Sequence, residues 1–222
     1  RIICLQEFFA TGSFTTEREK RNFDLAEEEA GEIVQTMGEV ARSKKVWLIV
    51  PFFEKDKTIA GRYYNTVAIL NEKGERAGKY RKQYIPESVS CEKYYFAPGN
   101  LGTPIFEADG IRFGVAICYD RHFFEILRTM LLKGAHAVFV PTATTRPKNR
   151  ANIWQMELVT MAVVNTLYVV GVNSTGFLDG KDQFGQSMIV DPTGTVLSSL
   201  DEEEGLVLGD ISPEVVRKAR ID

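Results

Sequence analysis

Short apolar runs alternate with stretches of helical period along this chain, and that alternation predicts an α/β fold. RIICL, at residues 1–5, reads as a strand that ends at Gln6 and Glu7. Residues 25–43, LAEEEAGEIVQTMGEVARS, read as a helix with Asp24 as N-cap and an acidic first turn. VWLIVPFF is a near-continuous apolar run and predicts a buried strand. YYNTVAIL and RAGKYRK flank the turn NEKGE and predict a hairpin. PIFEADGIRFGVAIC predicts a second hairpin, turning at Asp109-Gly110. A helix is expected from Phe123 to Lys133, with Gly134 as its stop. The strand HAVFVP, a helix over 150–165 and the strand LYVVGVN follow. The hairpin GQSMIVDPTGTVL turns at Pro192-Thr193-Gly194. A short strand GLVLGDI and a helix starting after Ser212-Pro213 close the pattern.

One order of elements occurs twice. Helix 25–43, a strand and a hairpin turning at NEKGE parallel helix 150–165, a strand and a hairpin turning at DPTG. Before the second copy stand the strand FGVAIC, a helix and the strand HAVFVP, whereas RIICL alone stands before the first. A pseudo-repeat would therefore place one more strand and helix ahead of Arg1. The repeat is the favoured reading, and coincidence is the alternative, because helix–strand–hairpin is a common order.

Composition narrows the function classes. The 222 residues fit one domain and carry an ordinary globular balance of 44% hydrophobic and 26% charged residues. A net charge of −3 without a basic stripe argues against nucleic acid as a partner. No apolar run is long enough for a membrane span and no signal peptide opens the chain, so no membrane partner is expected. Cys4, Cys91 and Cys118 cannot pair completely and have no CxxC spacing, which points to a reducing, cytoplasmic setting. With only His122 and His136 present, a histidine-rich metal site is not expected, nor is a cofactor.

The chemistry to explain lies in IRFGVAICYDRHFFE, residues 111–125, where an apolar run delivers Cys118 to a cluster of charged and aromatic residues. Glu7 follows a strand, Lys82 ends the hairpin strand GKYRK, and Glu92 lies in a loop between Lys82 and Cys118. Functional groups of open α/β sheets gather beyond the carboxyl ends of strands. A thiol attacks as its thiolate, a carboxylate can take its proton, and a lysine can hold an oxyanion. Each residue also has a bland reading. A cysteine there can be a core thiol, a strand-end glutamate a solvated one, and a lysine a surface cation. Spacing leaves both readings open.

EFF, YYNTVAILNEKGERAGKYRKQYIPE, EKYYFAPGN, GVAICYDRHFFEILRTMLLKGAHAVFVPTATT and FGQSMIVDPTGTVLSS together resemble the nitrilase, or carbon–nitrogen hydrolase, superfamily. The resemblance runs over nearly the whole chain in one order. It implies a four-layer αββα sandwich, built as a single domain over 1–222 that is incomplete at both ends. The strand and helix that family members carry ahead of the glutamate strand, and their C-terminal tail, would be missing. It implies the catalytic set Glu7 as general base, Lys82 at the oxyanion, Cys118 as nucleophile and Glu92 as assisting glutamate.

The stretch from Cys118 to Thr145 is most similar to the N-carbamoyl amide hydrolases, which implies a small amide or ureide substrate. Arg121 matches a position that binds a substrate carboxylate, with His122 beside it as a weaker anion contact. The alternative for both is a structural role at the helix start. The backbone N–H of Tyr119 would join Lys82 at the oxyanion. Phe124 replaces a common proline at the helix start, with little consequence for chemistry. The resemblance also implies a homodimer or larger homo-oligomer, and it assigns amine-side specificity to loops such as 10–24 and 142–150. An amidase or nitrilase using the same residues, and a non-catalytic relative, are the alternatives.

Overall fold

In the computed structural model, which describes residues 1–87, 90–145, 149–178 and 180–221, the chain divides into two units, Arg1–Pro104 and Ile105–Asp222. The first unit holds a four-stranded sheet in the order β1-β2-β3-β4. Strand β1 (Ile2–Cys4) runs parallel to β2 (Trp47–Lys55), the product of a crossover through helix α1 (Glu32–Lys44). Strands β3 (Tyr63–Leu70) and β4 (Arg76–Arg81) return antiparallel, as the NEKGE turn predicts. Alternate residues Leu48, Val50 and Phe52 of β2 pack with Val34 and Ala41 of α1 and with Ala68 and Leu70 of β3. Residues 48–54 of β2 are buried on both faces, which is why its sequence reads as a run and not as an alternation. Helix α1 crosses the β3–β4 turn closely: a Cβ on Gly74, whose φ is +79°, would lie 2.3 Å from the Gly38 carbonyl oxygen.

Helix α1 begins later than its pattern predicts. Lys20–Leu25 forms a 3-10 turn, and Glu27 then pairs as a single parallel bridge with Glu54 at the end of β2. Its backbone N–H donates to the Phe53 carbonyl at 2.9 Å, and its carbonyl accepts the Lys55 N–H at 2.7 Å. Sheet pairing thus takes the residues that helical period would have claimed. The Glu27 carboxylate reaches forward and accepts the Ile33 N–H at 2.9 Å, so it satisfies a helix donor from outside the helix in place of Asp24.

The second unit holds a six-stranded sheet in the order β12-β11-β8-β7-β6-β5. Strands β5 (Phe106–Ala108) and β6 (Ile111–Val115) form the expected hairpin, with Asp109 and Gly110 both at positive φ (51° and 78°). Helix α3 (Phe124–Leu132) carries the chain to β7 (Ala137–Thr142), and helix α4 (Arg150–Asn165) carries it to β8 (Tyr168–Asn173); β6, β7 and β8 are parallel. Strand β11 (Met188–Val190) pairs antiparallel with β8, and β12 (Val196–Ser199) pairs antiparallel with β11. A separate two-stranded ribbon, β9 (Thr175–Leu178) and β10 (Lys181–Phe184), is not evident in the hydrophobic pattern. GLVLGDI forms no strand, and Leu206 and Leu208 are exposed there. Helix α5 (Pro213–Ile221) begins where expected, with the Ser212 hydroxyl accepting from the Val215 N–H at 3.4 Å.

The repeated order is present in the topology. Strand, helix, parallel strand and two antiparallel strands occur as β1-α1-β2-β3-β4 and again as β7-α4-β8-β11-β12, in matching sheet order.

Candidate active site

In the first unit three charged side chains meet away from water. Lys82 follows the last residue of β4, and its N–H still pairs with the Asn65 carbonyl of β3 at 2.9 Å. That backbone bond fixes where the side chain starts. The ammonium donates to Glu7 Oε1 at 2.9 Å and to Glu92 Oε2 at 2.7 Å. Lys82 is 0% exposed, Glu7 2% and Glu92 4%. Isolated charges at such depth would be costly, and here each is paired.

Glu7 reaches this point because the chain turns sharply after β1, with Phe8 at φ +61° and the Phe9 N–H donating to the Gln6 carbonyl. The Asn65 amide donates to Glu7 Oε1 at 2.7 Å. Glu92 opens the short helix α2 (Glu92–Tyr95), which nothing in the hydrophobic pattern predicts, and the Ser90 hydroxyl donates to its Oε1 at 3.3 Å. Tyr95 anchors that helix. Its hydroxyl donates to the Glu17 carbonyl at 2.6 Å and accepts from the Glu19 N–H at 2.8 Å. The rings of Phe14, Phe23 and Phe53 pack on Tyr95. The loop 10–24 is thereby tied to the helix that carries Glu92.

Two carboxylates share one ammonium, so the electrostatics are unbalanced. Burial pushes the Glu92 carboxyl up to about 7, with Lys82 pulling it down and Glu7 pushing it further up. Glu92 therefore exchanges its proton near neutral pH.

The second unit places Cys118 at a strained turn. The β6–β7 ladder continues to Ala116, whose N–H donates to the Phe139 carbonyl at 3.0 Å. The chain then enters a 3-10 turn, Cys118–His122, with Cys118 itself at φ +46°. A non-glycine residue in this region costs on the order of 1–3 kcal/mol, and such outliers cluster at functional sites. The buried Asp120 carboxylate accepts the Ile117 N–H at 3.0 Å, closing the turn from below.

Arg121 holds the turn from its other side. Its Nη1 donates to the Cys118 carbonyl at 2.8 Å and lies 3.8 Å from Cys118 Sγ. Its Nε donates to Glu157 Oε2 of α4 at 2.9 Å, and the guanidinium lies 5.2 Å from the Trp154 ring centre. His122 Nδ1 meets the other Glu157 oxygen at 2.5 Å, and Tyr119 packs its ring edge-on against His122. Burial alone would raise the Glu157 carboxyl, but the His122 hydrogen bond and the Arg121 charge hold it below the usual carboxylate range. Arg121, expected to meet a substrate carboxylate, is 1% exposed and already carries an anion.

Sequence reasoning did not single out Asn65 or Glu157. Each left a signal: Asn65 interrupts an apolar strand, and Glu157 is an acid among the largely apolar residues 152–164 of α4. Of the loop 142–150, residues 146–148 lie outside the described residues. Among the described residues, no three His, Cys, Asp or Glu side chains form a metal-binding group, and no helix is long and apolar enough to cross a membrane.

The profile of the family described as carbon-nitrogen hydrolase matches residues 1–221. An N-carbamoylputrescine amidase of Arabidopsis thaliana is 32% identical over 93% of this chain and 73% of its own length. A nitrilase of Pyrococcus abyssi is also 32% identical, over 100% of this chain and 80% of its own. The crystal structure of a carbon-nitrogen hydrolase from Helicobacter pylori G27 superposes with a TM-score of 0.93 at 27% identity, covering 100% of this chain and 80% of that one. The α/β fold is that of the nitrilase superfamily, and this chain belongs to the carbon–nitrogen hydrolase family of amidohydrolases.

Proposed function

We propose that this enzyme hydrolyses the ureido group of an N-carbamoyl amine or amino acid, releasing ammonia, carbon dioxide and the amine. The observation that carries the catalytic assignment is the buried Lys82 ammonium held between Glu7 and Glu92, a group built for charge at a depth where structure alone would favour apolar residues. In this reading Glu7 takes the Cys118 proton and the sulfur attacks the ureido carbon, forming the C–S bond. Lys82 and the Tyr119 N–H stabilise the oxyanion. The tetrahedral intermediate collapses, the C–N bond breaks, and ammonia leaves with the proton from Glu7. Water, deprotonated by Glu7 with Glu92 assisting, then attacks the thiocarbamate. Cys118 leaves and recovers its proton, and the carbamate decomposes to amine and carbon dioxide.

The ureido choice is supported by the likeness of the Cys118–Thr145 stretch to N-carbamoyl amide hydrolases and by the similar Arabidopsis amidase. Arg121 serves chiefly to hold the nucleophile turn in this reading, since Glu157 and the Cys118 carbonyl occupy its guanidinium. The equal likeness to a nitrilase favours a second reading, in which the same residues act on simple amides or nitriles.

Ammonia release from N-carbamoyl-β-alanine, N-carbamoyl-α-amino acids, N-carbamoylputrescine, aliphatic amides and nitriles separates the two. The proposal expects turnover of a carbamoyl compound that Cys118→Ala abolishes. Turnover confined to amides or nitriles would replace it with the second reading. The enzyme's setting in the cytoplasm and its assembly as a homo-oligomer belong to the same proposal, and gel filtration tests the latter.

A further inference from the structure

We infer that Asn65 is a positioning residue that orients the Glu7 carboxylate and directs its proton to Oε2; the inference rests on the assignment of Glu7 as base. Asn65 stands in β3, is 2% exposed, and serves two members of the cluster at once. Its side-chain amide donates to Glu7 Oε1 at 2.7 Å, and its main-chain carbonyl accepts the Lys82 N–H at 2.9 Å. One strand residue thus places the carboxylate through its side chain and the lysine through its backbone.

Its neighbour performs the matching task one position earlier on the facing strand. Thr66 pairs in register with Arg81, and its hydroxyl donates to Glu54 Oε2 at 2.6 Å. That carboxylate in turn accepts Arg81 Nε at 2.9 Å, and Arg81 stacks 3.7 Å over the Tyr64 ring. Residues 64–66 therefore set both Arg81 and Lys82, and the β4 end is held where the ammonium is needed.

The chemistry of an amide suits this position. Glu7 Oε1 accepts from both Asn65 Nδ2 and Lys82 Nζ. Two N–H donors on one carboxylate oxygen favour charge there and disfavour a proton, so the proton taken from a thiol or water goes to Oε2. The amide keeps its own hydrogens throughout, and the carboxylate is held through both halves of the cycle. A carboxylate at position 65 would lose that donor and add a competing acid.

The test compares Asn65→Asp with Asn65→Ala after thermal melts show both folded. Asn65→Asp keeps the shape, loses the donor and sets a second carboxylate against Oε1. A packing role predicts that this isosteric variant is the milder. The inference predicts the reverse: kcat falls by roughly 10²-fold in Asn65→Asp and by less in Asn65→Ala, with KM changed less than about threefold. Asn65→Asp within about threefold of native kcat, or a loss confined to KM, would overturn it. Glu7→Gln runs in the same assay. If Glu7→Gln turns over normally, the assignment of Glu7 falls; if it is inactive while Asn65→Asp is native-like, only the inference about Asn65 falls. A crystal structure of Asn65→Asp reads the same point without any substrate: the Glu7 carboxylate is expected to turn away from residue 65, and an unmoved carboxylate would refute the positioning role.

Discussion

The Lys82 ammonium sits in a place where water cannot reach it and donates to Glu7 and Glu92. Replacing Lys82 with Met removes the oxyanion donor of the proposed mechanism, a change that costs about 10²–10³ in kcat where such donors have been removed. Steady-state kinetics on folded Lys82→Met enzyme is expected to show that loss, and near-native turnover would remove Lys82 from the oxyanion. Glu92 makes a different prediction. Its carboxyl is raised to about 7 by burial, so the fold favours its protonated form. The folded state then holds more protons than the unfolded chain between roughly pH 4.5 and 7, and the slope of unfolding free energy with pH is negative there. The contribution is complete below the ordinary carboxylate range and is lost as pH rises through about 7. Urea unfolding of the native protein against Glu92→Gln should show the difference between them shrinking over that window, and parallel curves would refute the assignment. Cys118, Lys82 and the two glutamates are legible in sequence because they sit in motif-bearing segments. Asn65 and Glu157 are not, because their roles come from partners 58 and 36 positions away.

At the scale of elements, strands and crossovers follow from period and turn chemistry, while boundaries are decided by neighbours. Helix α1 loses its predicted first turns to a bridge between Glu27 and Glu54, a contact no local pattern encodes. Ribbon β9–β10 escapes notice because Thr175–Phe184 is polar and glycine-rich, and its pairing is with itself. The turn joining β3 and β4 is legible, and it also bears load. Gly74 has φ +79° and lies against the Gly38 carbonyl, so Gly74→Ala meets both a conformational and a steric penalty. Thermal melts should place Gly74→Ala lower than native by more than about 2–4 °C, the shift of a 1 kcal/mol loss in a chain of this size. An unchanged midpoint would mean that helix α1 and the turn move apart without cost. Because the same hairpin strand leads directly into Lys82, this variant also tests whether the scaffold under the ammonium tolerates repacking.

At the scale of the whole molecule, each unit builds one constellation, and the proposed mechanism calls on residues of both. One unit assembles two buried carboxylates and an ammonium; the other presents a thiol on a strained turn gripped by Arg121. Neither is a complete hydrolytic apparatus, since the first lacks a nucleophile and Cys118 needs a group to take its proton. The repeated order of elements and the match over residues 1–221 are consistent with one catalytic chain. The central claim is that Cys118 carries the acyl group while Glu7 serves both halves of the reaction. Intact-protein and peptide mass spectrometry of native enzyme, acid-quenched during turnover of the best carbamoyl substrate and run beside Glu7→Gln, tests it most directly. The account predicts an adduct of substrate minus ammonia on the Cys118 peptide of native enzyme and none in Glu7→Gln. Turnover by native enzyme without any such adduct, or an adduct on Cys4 or Cys91 instead, would contradict it.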